Sequence, residues 1–305
     1  MIDSWIASIG RTPIVAMVRL LPGGQAIWAK CEGRNPGGSA KDRAALYMIE
    51  DALKSGKLRT GGTIVEPTSG NTGVGLAAIG AALGLRVILT MPESMSVERR
   101  QLLSAYGAQL VLTPAKDGMK GAIEEANRLL AQEAGAWMPD QFANPANARA
   151  HYETTGPEIY AQTQGQVDVL VAGVGTGGTL TGVGRYLKEQ KPQVEIVAVE
   201  PSDSPVLSGG QAGPHPLMGI GAGFVPKVLD MDLIDRIVTI TGEQARQACR
   251  LMAQKEGVLA GISGGAAMAC AMQLRAQQAY AGRNIVVILP DTGERYLSTG
   301  LFAQE

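Results

Sequence analysis

The chain has 305 residues, 27 Lys and Arg against 28 Asp and Glu, a net charge of −1, and 40 glycines. Glycine is roughly twice as frequent as the ~7% average, but it shows no Gly-X-Y period, which excludes collagen. Hydrophobic residues make up 45% of the chain, too many for a disordered protein. The near-zero charge and the absence of a long Lys/Arg run argue against a dedicated nucleic-acid binder.

Short apolar strand patterns alternate with longer helical patterns along the whole chain. The predicted strands are 14–18, 27–31, 63–65, 87–90, 110–112, 167–172, 195–199 and 285–289. The predicted helices are 41–54, 72–83, 96–106, 118–134, 179–189, 242–256 and 264–280, and a turn cluster is predicted over 140–150. Continuously apolar strands are typical of parallel sheets buried on both faces, so the alternation predicts an α/β fold with mostly parallel sheets. The length indicates about two domains.

The sequence predicts neither a targeting signal nor a metal site. The first residues lack the basic and then apolar layout of a signal peptide, and no uncharged stretch is apolar enough to span a membrane. A cytoplasmic protein is expected. Cys31, Cys249 and Cys270 form no C-x-x-C pair, so they are interpreted as core or surface thiols and no metal is expected. His151 and His215 are not expected to be catalytic.

Eighteen of the 40 glycines fall into four clusters. The clusters are Gly70, Gly73 and Gly75; Gly173, Gly175, Gly177, Gly178, Gly182 and Gly184; Gly209, Gly210, Gly213, Gly219, Gly221 and Gly223; and Gly261, Gly264 and Gly265. The first, second and fourth clusters stand where a loop leads into a predicted helix. Glycine at such a place permits positive φ angles and lets backbone N–H groups approach an anion closely.

The run 173–179 (GVGTGGT) follows the predicted strand 167–172 and opens a helix. A helix N-terminus binds phosphate readily, and Thr176 and Thr179 add hydroxyl donors. The same run matches the dinucleotide fingerprint G-x-G-x-x-G, and Glu200 lies where a ribose-binding acid would stand. A phosphate site, a nicotinamide-dependent enzyme and a plain flexible turn all remain open from this run. No P-loop sequence is present.

The segment 35–43 (NPGGSAKDR) places Lys41 after a glycine-rich turn, at the start of a predicted helix. The positive end of a helix dipole disfavours the charge of a lysine, and a neutral amine is what Schiff-base chemistry requires. A solvated lysine in the first turn is the alternative.

Two further loops lead into predicted helices. The loop 68–73 (TSGNTG) offers backbone N–H groups and polar side chains that suit a carboxylate; alternatively, Ser69 or Asn71 simply caps the next helix. The loop 261–266 (GISGGA) has Ser263 as its one polar side chain, which is either a ligand contact or an ordinary N-cap.

Together, these four segments resemble the fold-type II pyridoxal-phosphate (PLP) enzymes and, among them, the cysteine synthase (O-acetylserine sulfhydrylase) family. The resemblance extends over nearly the whole chain. Further stretches that agree with it are 91–100, 140–147, 155–159, 200–201, 204–210, 219–224 and 290–296. It implies two α/β domains, each with a mostly parallel central sheet flanked by helices. The smaller, mobile domain would span 35–145, with residues 1–12 crossing over to it. The larger, which would bind the PLP phosphate, would comprise 13–34 and 146–305.

The resemblance also implies roles for individual residues. Lys41 would bind the cofactor covalently and then act as the base at the substrate Cα. Asn71 would contact the cofactor 3′ oxygen, and Ser263 the pyridine nitrogen. The phosphate would be held by Gly175, Thr176, Gly177, Gly178 and Thr179. The substrate carboxylate would be bound by Thr68, Ser69, Gly70, Asn71, Thr72 and Gln141. Near the acetyl group, and moving on closure, would lie Gly219, Ile220, Gly221 and Ala222.

The implied reaction is the conversion of O-acetyl-L-serine and sulfide to L-cysteine and acetate, through an α-aminoacrylate intermediate. A cystathionine β-synthase-type reaction and the use of thiosulfate are alternatives within the same chemistry. The implied assembly is a homodimer, and the implied partner is the C-terminal tail of serine acetyltransferase, inserted into the substrate cleft. A neutral hydroxyl at the pyridine nitrogen makes the ring a weaker electron sink, which suits rapid loss of a β leaving group.

Overall fold

The computed structural model describes residues 5–303, apart from Pro22 and Gly24. Residues 1–4, which belong to the predicted crossing segment 1–12, lie outside the described residues. The chain forms two compact units. The smaller unit contains Lys41–Asn147 together with residues 5–9, and the larger contains Gly10–Ala40 and the chain from Ala148 onward.

The strands and helices alternate as the sequence predicts. The strands are β1 Ile14–Met17, β2 Ile27–Cys31, β3 Thr63–Pro67, β4 Arg86–Pro92, β5 Gln109–Thr113, β6 Val169–Gly173, β7 Glu195–Pro201, β8 Arg236–Ile240 and β9 Ile285–Leu289. The helices are α1 Lys41–Lys54, α2 Asn71–Leu83, α3 Val97–Ala105, α4 Gly118–Gln132, α5 Pro145–Ala150, α6 Gly156–Gln162, α7 Gly178–Gln190, α8 Gly242–Leu251 and α9 Ile262–Arg275. Single π-helical turns cover His151–Thr155 and Met252–Glu256. Short 3₁₀ turns cover Ile6–Ser8, Glu32–Arg34, Ala115–Asp117, Met231–Leu233, Gln278–Tyr280 and Gly293–Thr299.

The smaller unit is built on a parallel sheet in the order β3-β4-β5. Ile64 and Leu89 pack into one apolar cluster with residues of α1 and α2. Val65 packs into another with Ala126 of α4. Because neighbouring side chains of a strand point to opposite faces, β3 is apolar on both faces, and helices cover both.

The larger unit is built on a six-stranded sheet in the order β1-β2-β9-β6-β7-β8. The β1–β2 pair is antiparallel, whereas all the other neighbours in this sheet are parallel. The α/β fold with mostly parallel sheets is therefore confirmed. In open parallel sheets, ligands bind beyond the carboxyl ends of the strands. The loops that follow β3 in one unit and β6 in the other occupy this position.

Among the helices and strands, α5, α6 and β8 were not predicted. The turn cluster over 140–150 contains the start of α5, because Pro145 occupies a first-turn position and Asn144 Oδ1 accepts from the N–H of Ala146 at 3.0 Å. The same Asn-Pro pair that predicts a turn thus also begins a helix. Strand β8 was not predicted; it lies at the edge of its sheet, and its exposed residues Arg236 and Thr239 interrupt the apolar pattern.

Among the described residues, the structure has no helix that combines the length and the apolar character needed to cross a membrane.

Candidate functional site

The loop 68–73 leads from β3 into α2 in the smaller unit. The N–H of Thr68 donates to the carbonyl of Thr90 on the neighbouring strand at 3.1 Å, which anchors the start of the loop. The N-cap residue of α2 is Gly70, so the predicted alternative of a Ser69 or Asn71 cap is wrong. Glycine has no side chain that could accept from the first-turn N–H groups, so the start of α2 has no side-chain cap. A carboxylate suits this position.

A buried hydrogen bond joins two residues predicted to bind the substrate. The hydroxyl of Thr72, in the first turn of α2, donates to Gln141 Oε1 at 2.6 Å, and the two side chains are 69 residues apart in sequence. Thr72 is 3% exposed and Gln141 is 8% exposed. The side-chain amide of Asn147 donates to the Gln141 carbonyl at 2.8 Å, which holds Gln141 from its other side.

Two residues that were not predicted from the sequence also contact this region. One contacts the loop 68–73, and the other contacts the backbone next to Gln141. Arg99 of α3 donates to the carbonyl of Ser69 at 3.1 Å. Glu66, near the end of β3, is 2% exposed, and its Oε2 accepts from the N–H of Asp140 at 3.3 Å. Burial raises the pKa of Glu66 to about 8, although hydrogen bonds from the backbone of Asp140 and Gln141 oppose the rise. A carboxyl in an otherwise apolar buried strand was the signal that could have identified it.

Lys41 is the first residue of α1, as the sequence predicts, and its side chain is half-buried. Residues Asp42 and Arg43 after it are buried. In the smaller unit, α1 packs closely against α2, and a Cβ at Gly75 would lie 3.1 Å from the Lys41 carbonyl. The backbone at the start of α1 is therefore held against the helix that carries the loop 68–73.

The predicted phosphate loop connects β6 to α7 in the larger unit. Gly177 is the N-cap of α7, with a φ of +83° that favours glycine, and it offers no side-chain cap. The hydroxyl of Thr176 accepts from the N–H of Gly178 at 3.4 Å, and Thr176 is 5% exposed. The loop thus combines a helix N-terminus with threonine hydroxyls, the donor set of a phosphate site.

Two other segments, the loop 219–222 and the start of α9, lie beside this loop. A Cβ at Gly175 would lie 2.3 Å from the carbonyl oxygen of Gly219, so that only glycine permits the observed approach. A Cβ at Gly219 would in turn lie 3.7 Å from the Ser263 hydroxyl. The N–H of Gly221 donates to the Val174 carbonyl at 2.9 Å. The loop 219–222 therefore adjoins both the predicted phosphate loop and the start of α9.

Ser263 lies in the first turn of α9 and is 3% exposed. The N-cap of this helix is Gly261, which supplies no side-chain cap, so the alternative of an ordinary Ser263 N-cap is wrong. The neutral hydroxyl of Ser263 is instead held inside the unit at the positive end of the helix.

His151 is fully buried and contacts the phosphate loop. Its Nε2 lies 3.1 Å from the hydroxyl of Thr179, and its Nδ1 lies 2.9 Å from the hydroxyl of Thr155. The ring belongs to the π-helical turn that precedes α6, a segment that the sequence does not predict as helical. The hydroxyl of Thr179 is thus oriented by a side chain 28 residues away in sequence.

Glu200 is not placed to bind a ribose. It is 1% exposed, and its two oxygens accept from the N–H of Leu207 at 2.7 Å and the N–H of Ser208 at 3.0 Å. The Ser208 hydroxyl also donates to it at 2.5 Å. Since the carboxylate stabilises the turn that follows β7, the nicotinamide alternative loses the acid on which it depends.

The three cysteines are buried free thiols. Burial raises the pKa of Cys249 and of Cys270 to about 12, and it also raises the pKa of Cys31. The thiolate is the nucleophilic form of cysteine, and the raised pKa values disfavour it. The three thiols are core residues, which is one of the two locations that the sequence left open.

The residues within each of the two units fit PLP. The larger unit supplies a glycine-rich loop with threonine hydroxyls at a helix N-terminus, and a buried serine hydroxyl of the kind that can face a pyridine nitrogen. The smaller unit supplies Lys41 at a helix start and an anion-binding loop at 68–73. The geometry within each unit agrees with the chemistry that a PLP enzyme needs at each end of the cofactor and at the substrate carboxylate.

Comparisons with known proteins agree with this geometry. A family described as pyridoxal-phosphate dependent enzyme matches residues 7–291. A cysteine synthase of Staphylococcus aureus strain Mu50 is 52% identical over 304 residues, covering 99% of this chain and 97% of that protein. The crystal structure of a cysteine synthase from Entamoeba histolytica superposes with a TM-score of 0.97 at 40% identity, covering 100% of this chain and 92% of that one. The structure of an O-ureido-L-serine synthase superposes with a TM-score of 0.95 at 46% identity, covering 100% and 97%.

The family match spans most of the chain, and the similarity to the Staphylococcus protein spans nearly all of it. The chain therefore belongs to the family of pyridoxal-phosphate-dependent enzymes.

Proposed function

We propose that this enzyme converts O-acetyl-L-serine and sulfide to L-cysteine and acetate by β-replacement. When bound, PLP supplies the electron sink that makes the substrate Cα–H acidic. The S. aureus relative named as a cysteine synthase supports this assignment, since it is similar along the whole length of both proteins. A loop suited to a carboxylate at 68–73 supports an amino-acid substrate.

Different residues of the chain would bind the cofactor, transfer the proton and bind the substrate. The side-chain amine of Lys41 would hold the cofactor, then take the proton from the substrate Cα and return it there after sulfide has added. The loop of Thr68, Ser69, Gly70, Asn71 and Thr72, with Gln141, would bind the substrate carboxylate. Asn71 would also contact the cofactor 3′ oxygen. The cofactor phosphate would be held by Gly175, Thr176, Gly177, Gly178 and Thr179. Gly219, Ile220, Gly221 and Ala222 would lie near the acetyl group.

The group that faces the pyridine nitrogen influences which class of reaction is favoured, and in this proposal that group is the hydroxyl of Ser263. Its hydroxyl is buried, neutral and located at the start of α9. Facing the pyridine nitrogen, a hydroxyl would not keep that nitrogen protonated, whereas a carboxylate would. The weaker electron sink favours reactions in which loss of the α-proton is followed at once by loss of a β leaving group. β-Replacement is such a reaction.

The decisive experiment measures L-cysteine and acetate formed from O-acetyl-L-serine and sulfide by the purified holoenzyme. We expect a protein with visible cofactor absorbance, stoichiometric formation of the two products, and loss of turnover in Lys41→Ala. A colourless protein, or a Lys41→Ala variant with full turnover, would refute the proposal.

Parallel assays separate the alternatives within the same chemistry. Thiosulfate replaces sulfide in one assay, and serine with homocysteine replaces both substrates in another. Faster turnover of either pair than of O-acetyl-L-serine with sulfide would reassign the substrate while leaving the PLP chemistry in place.

The assembly and the location form part of the same proposal. We propose a cytoplasmic homodimer that binds the C-terminal tail of serine acetyltransferase, with a mobile smaller domain over 35–145 and a larger domain of 13–34 and 146–305. The compact unit that contains Lys41–Asn147 supports a separate smaller domain. Light scattering tests the dimer, and competition between O-acetyl-L-serine and a synthetic tail peptide tests the partner.

A further inference from the structure

A buried carboxyl group lies at the end of β3, immediately before the loop 68–73. Glu66 is 2% exposed in a strand whose neighbouring residues Ile64 and Val65 are fully buried and apolar. A buried acidic side chain is costly unless its oxygens are hydrogen-bonded. Its position therefore requires a structural or functional reason.

The hydrogen-bond donors to Glu66 are backbone N–H groups of a distant turn. Oε2 accepts from Asp140 at 3.3 Å across a sequence separation of 74 residues, and the backbone of Gln141 donates to the same carboxyl group. Both residues belong to the segment that connects the end of α4 to α5. Glu66 thus ties this segment to the strand that leads into the substrate loop.

The turn that Glu66 holds has a strained backbone. Asp140 has a φ of +49°, in the left-handed region that non-glycine residues rarely adopt. Its carbonyl accepts from the N–H groups of Ala143 and Asn144, each at 2.9 Å. Such a conformation persists only when surrounding contacts determine it. The carboxyl of Glu66 supplies the contact on the N–H side.

The conformation of Asp140 determines where the next side chain points. Gln141 Oε1 accepts from the Thr72 hydroxyl at 2.6 Å, in the first turn of α2. Hydrogen bonds therefore connect Glu66 to the backbone of Asp140 and Gln141, and the side chain of Gln141 to the Thr72 hydroxyl. All of them lie within the smaller unit.

We infer that Glu66 is a positioning residue for the substrate carboxylate, acting through the Asp140–Gln141 turn on Gln141 and Thr72. This inference rests on the proposed function for the identity of the substrate. Glu66 itself touches neither substrate nor cofactor in this assignment. Its contribution is to substrate affinity rather than to the proton transfers at Cα.

Burial determines the form in which Glu66 acts. Because its pKa is raised to about 8, the side chain is largely neutral at pH 7, where it accepts hydrogen bonds without placing a second negative charge behind an anion-binding loop. A glutamine has the same shape and the same acceptor oxygen without the charge. Glu66→Gln should therefore preserve the function, whereas Glu66→Ala leaves two N–H groups without their acceptor.

The experiment compares steady-state kinetics of the holoenzyme for wild type, Glu66→Gln, Glu66→Ala and Thr90→Val at pH 7. Thr90→Val is the matched control, because it removes a buried hydrogen bond of 2.6 Å to the Ala122 carbonyl from the same sheet. We expect Glu66→Ala to raise the KM for O-acetyl-L-serine at least tenfold, with kcat and the KM for sulfide within twofold of wild type. Glu66→Gln and Thr90→Val should keep all three constants within twofold.

A second measurement does not depend on turnover. Calorimetric titration with L-alanine, which has the α-carboxylate and no β leaving group, should show a dissociation constant raised at least tenfold in Glu66→Ala alone. If Glu66→Ala does not fold, Glu66→Asp takes its place, since its carboxyl is withdrawn by one methylene; it should raise both constants at least threefold.

An unchanged KM and an unchanged L-alanine affinity in Glu66→Ala, or in Glu66→Asp where that variant is used, would overturn the inference. So would an equal rise in Thr90→Val, which would indicate a general loss of stability. A wild-type enzyme that is inactive on O-acetyl-L-serine but binds L-alanine would refute the proposed substrate and still test Glu66 by titration.

Discussion

The approach of Gly175 to Gly219 allows a direct test of the phosphate loop. In Gly175→Ala, the new Cβ would lie 2.3 Å from the Gly219 carbonyl oxygen, whereas real Cβ atoms essentially never come closer than 3.0 Å to such an atom. Both partners are backbone, so neither can rotate away. The two loops must separate, and the phosphate loop loses the conformation in which its donors converge.

The cost follows from the size of the clash. Overpacking of this kind costs about 1–3 kcal/mol. If that cost falls on the conformation that binds phosphate, the dissociation constant for PLP rises by roughly 5-fold to 150-fold. Gly184→Ala is the matched control, because Gly184 lies in α7, the helix that follows this loop, and its Cβ would meet Ile196 at an ordinary 3.5 Å. Ala in a helix interior should keep or raise the stability by up to about 1 kcal/mol.

The assay removes the cofactor from each variant, titrates PLP back, and follows cofactor absorbance, with thermal unfolding measured in parallel. Gly184→Ala should bind PLP within twofold of wild type. The reasoning is refuted if Gly175→Ala is folded and binds PLP within twofold of wild type as well, since the close approach would then have no bearing on the phosphate loop.

Three further predictions concern other contacts. Thr72→Val should raise the KM for O-acetyl-L-serine about tenfold, because it leaves Gln141 Oε1 without its donor; unchanged kinetics would contradict the role of this pair. Lys30→Met should lower the free energy of unfolding by about 3 kcal/mol in urea, because buried Lys30 is paired with Glu158 at 2.6 Å; a loss below about 1 kcal/mol would contradict this. The folded-state pKa of Glu66, about 8, lies above its ordinary 4.5, so folding favours the protonated form, and its contribution to stability is complete below pH 4.5 and is lost as the pH rises through 8. The advantage in unfolding free energy of Glu66→Gln over wild type should therefore grow by roughly 4 kcal/mol between pH 5 and pH 8.5, and an equal difference at both pH values would exclude a raised pKa.

Most elements of the fold were predictable because their signals are local. Helix α1 spans the predicted 41–54, and β2 and β9 span the predicted 27–31 and 285–289. The region 145–162 was not predictable in the same way. Asn and Pro are typical of both turns and helix starts, and a π-helical turn depends on packing against α7 rather than on a residue pattern.

The candidate site was predictable only where a loop and its helix are adjacent in sequence. Glycine-rich runs after β3 and β6 predict anion-binding loops from sequence alone, and the run before α9 predicts a ligand contact by Ser263. The structure corrects the capping residues, which are Gly70 and Gly261 rather than Ser69, Asn71 or Ser263. Whether a side chain caps a helix depends on backbone angles that residue type does not determine.

The sequence by itself determined the alternation of strands and helices, the glycine-rich loops and the resemblance to PLP enzymes, because each is a property of neighbouring residues. Only the tertiary structure decided which distant groups meet: Gly175 with Gly219, Thr179 with His151, and Glu66 with Asp140. The structure also showed that Glu200 is not available to bind a ribose, because its carboxylate is buried and accepts from the N–H groups of Leu207 and Ser208. Contacts between residues tens of positions apart follow from sheet order and helix packing, and no local pattern contains that information.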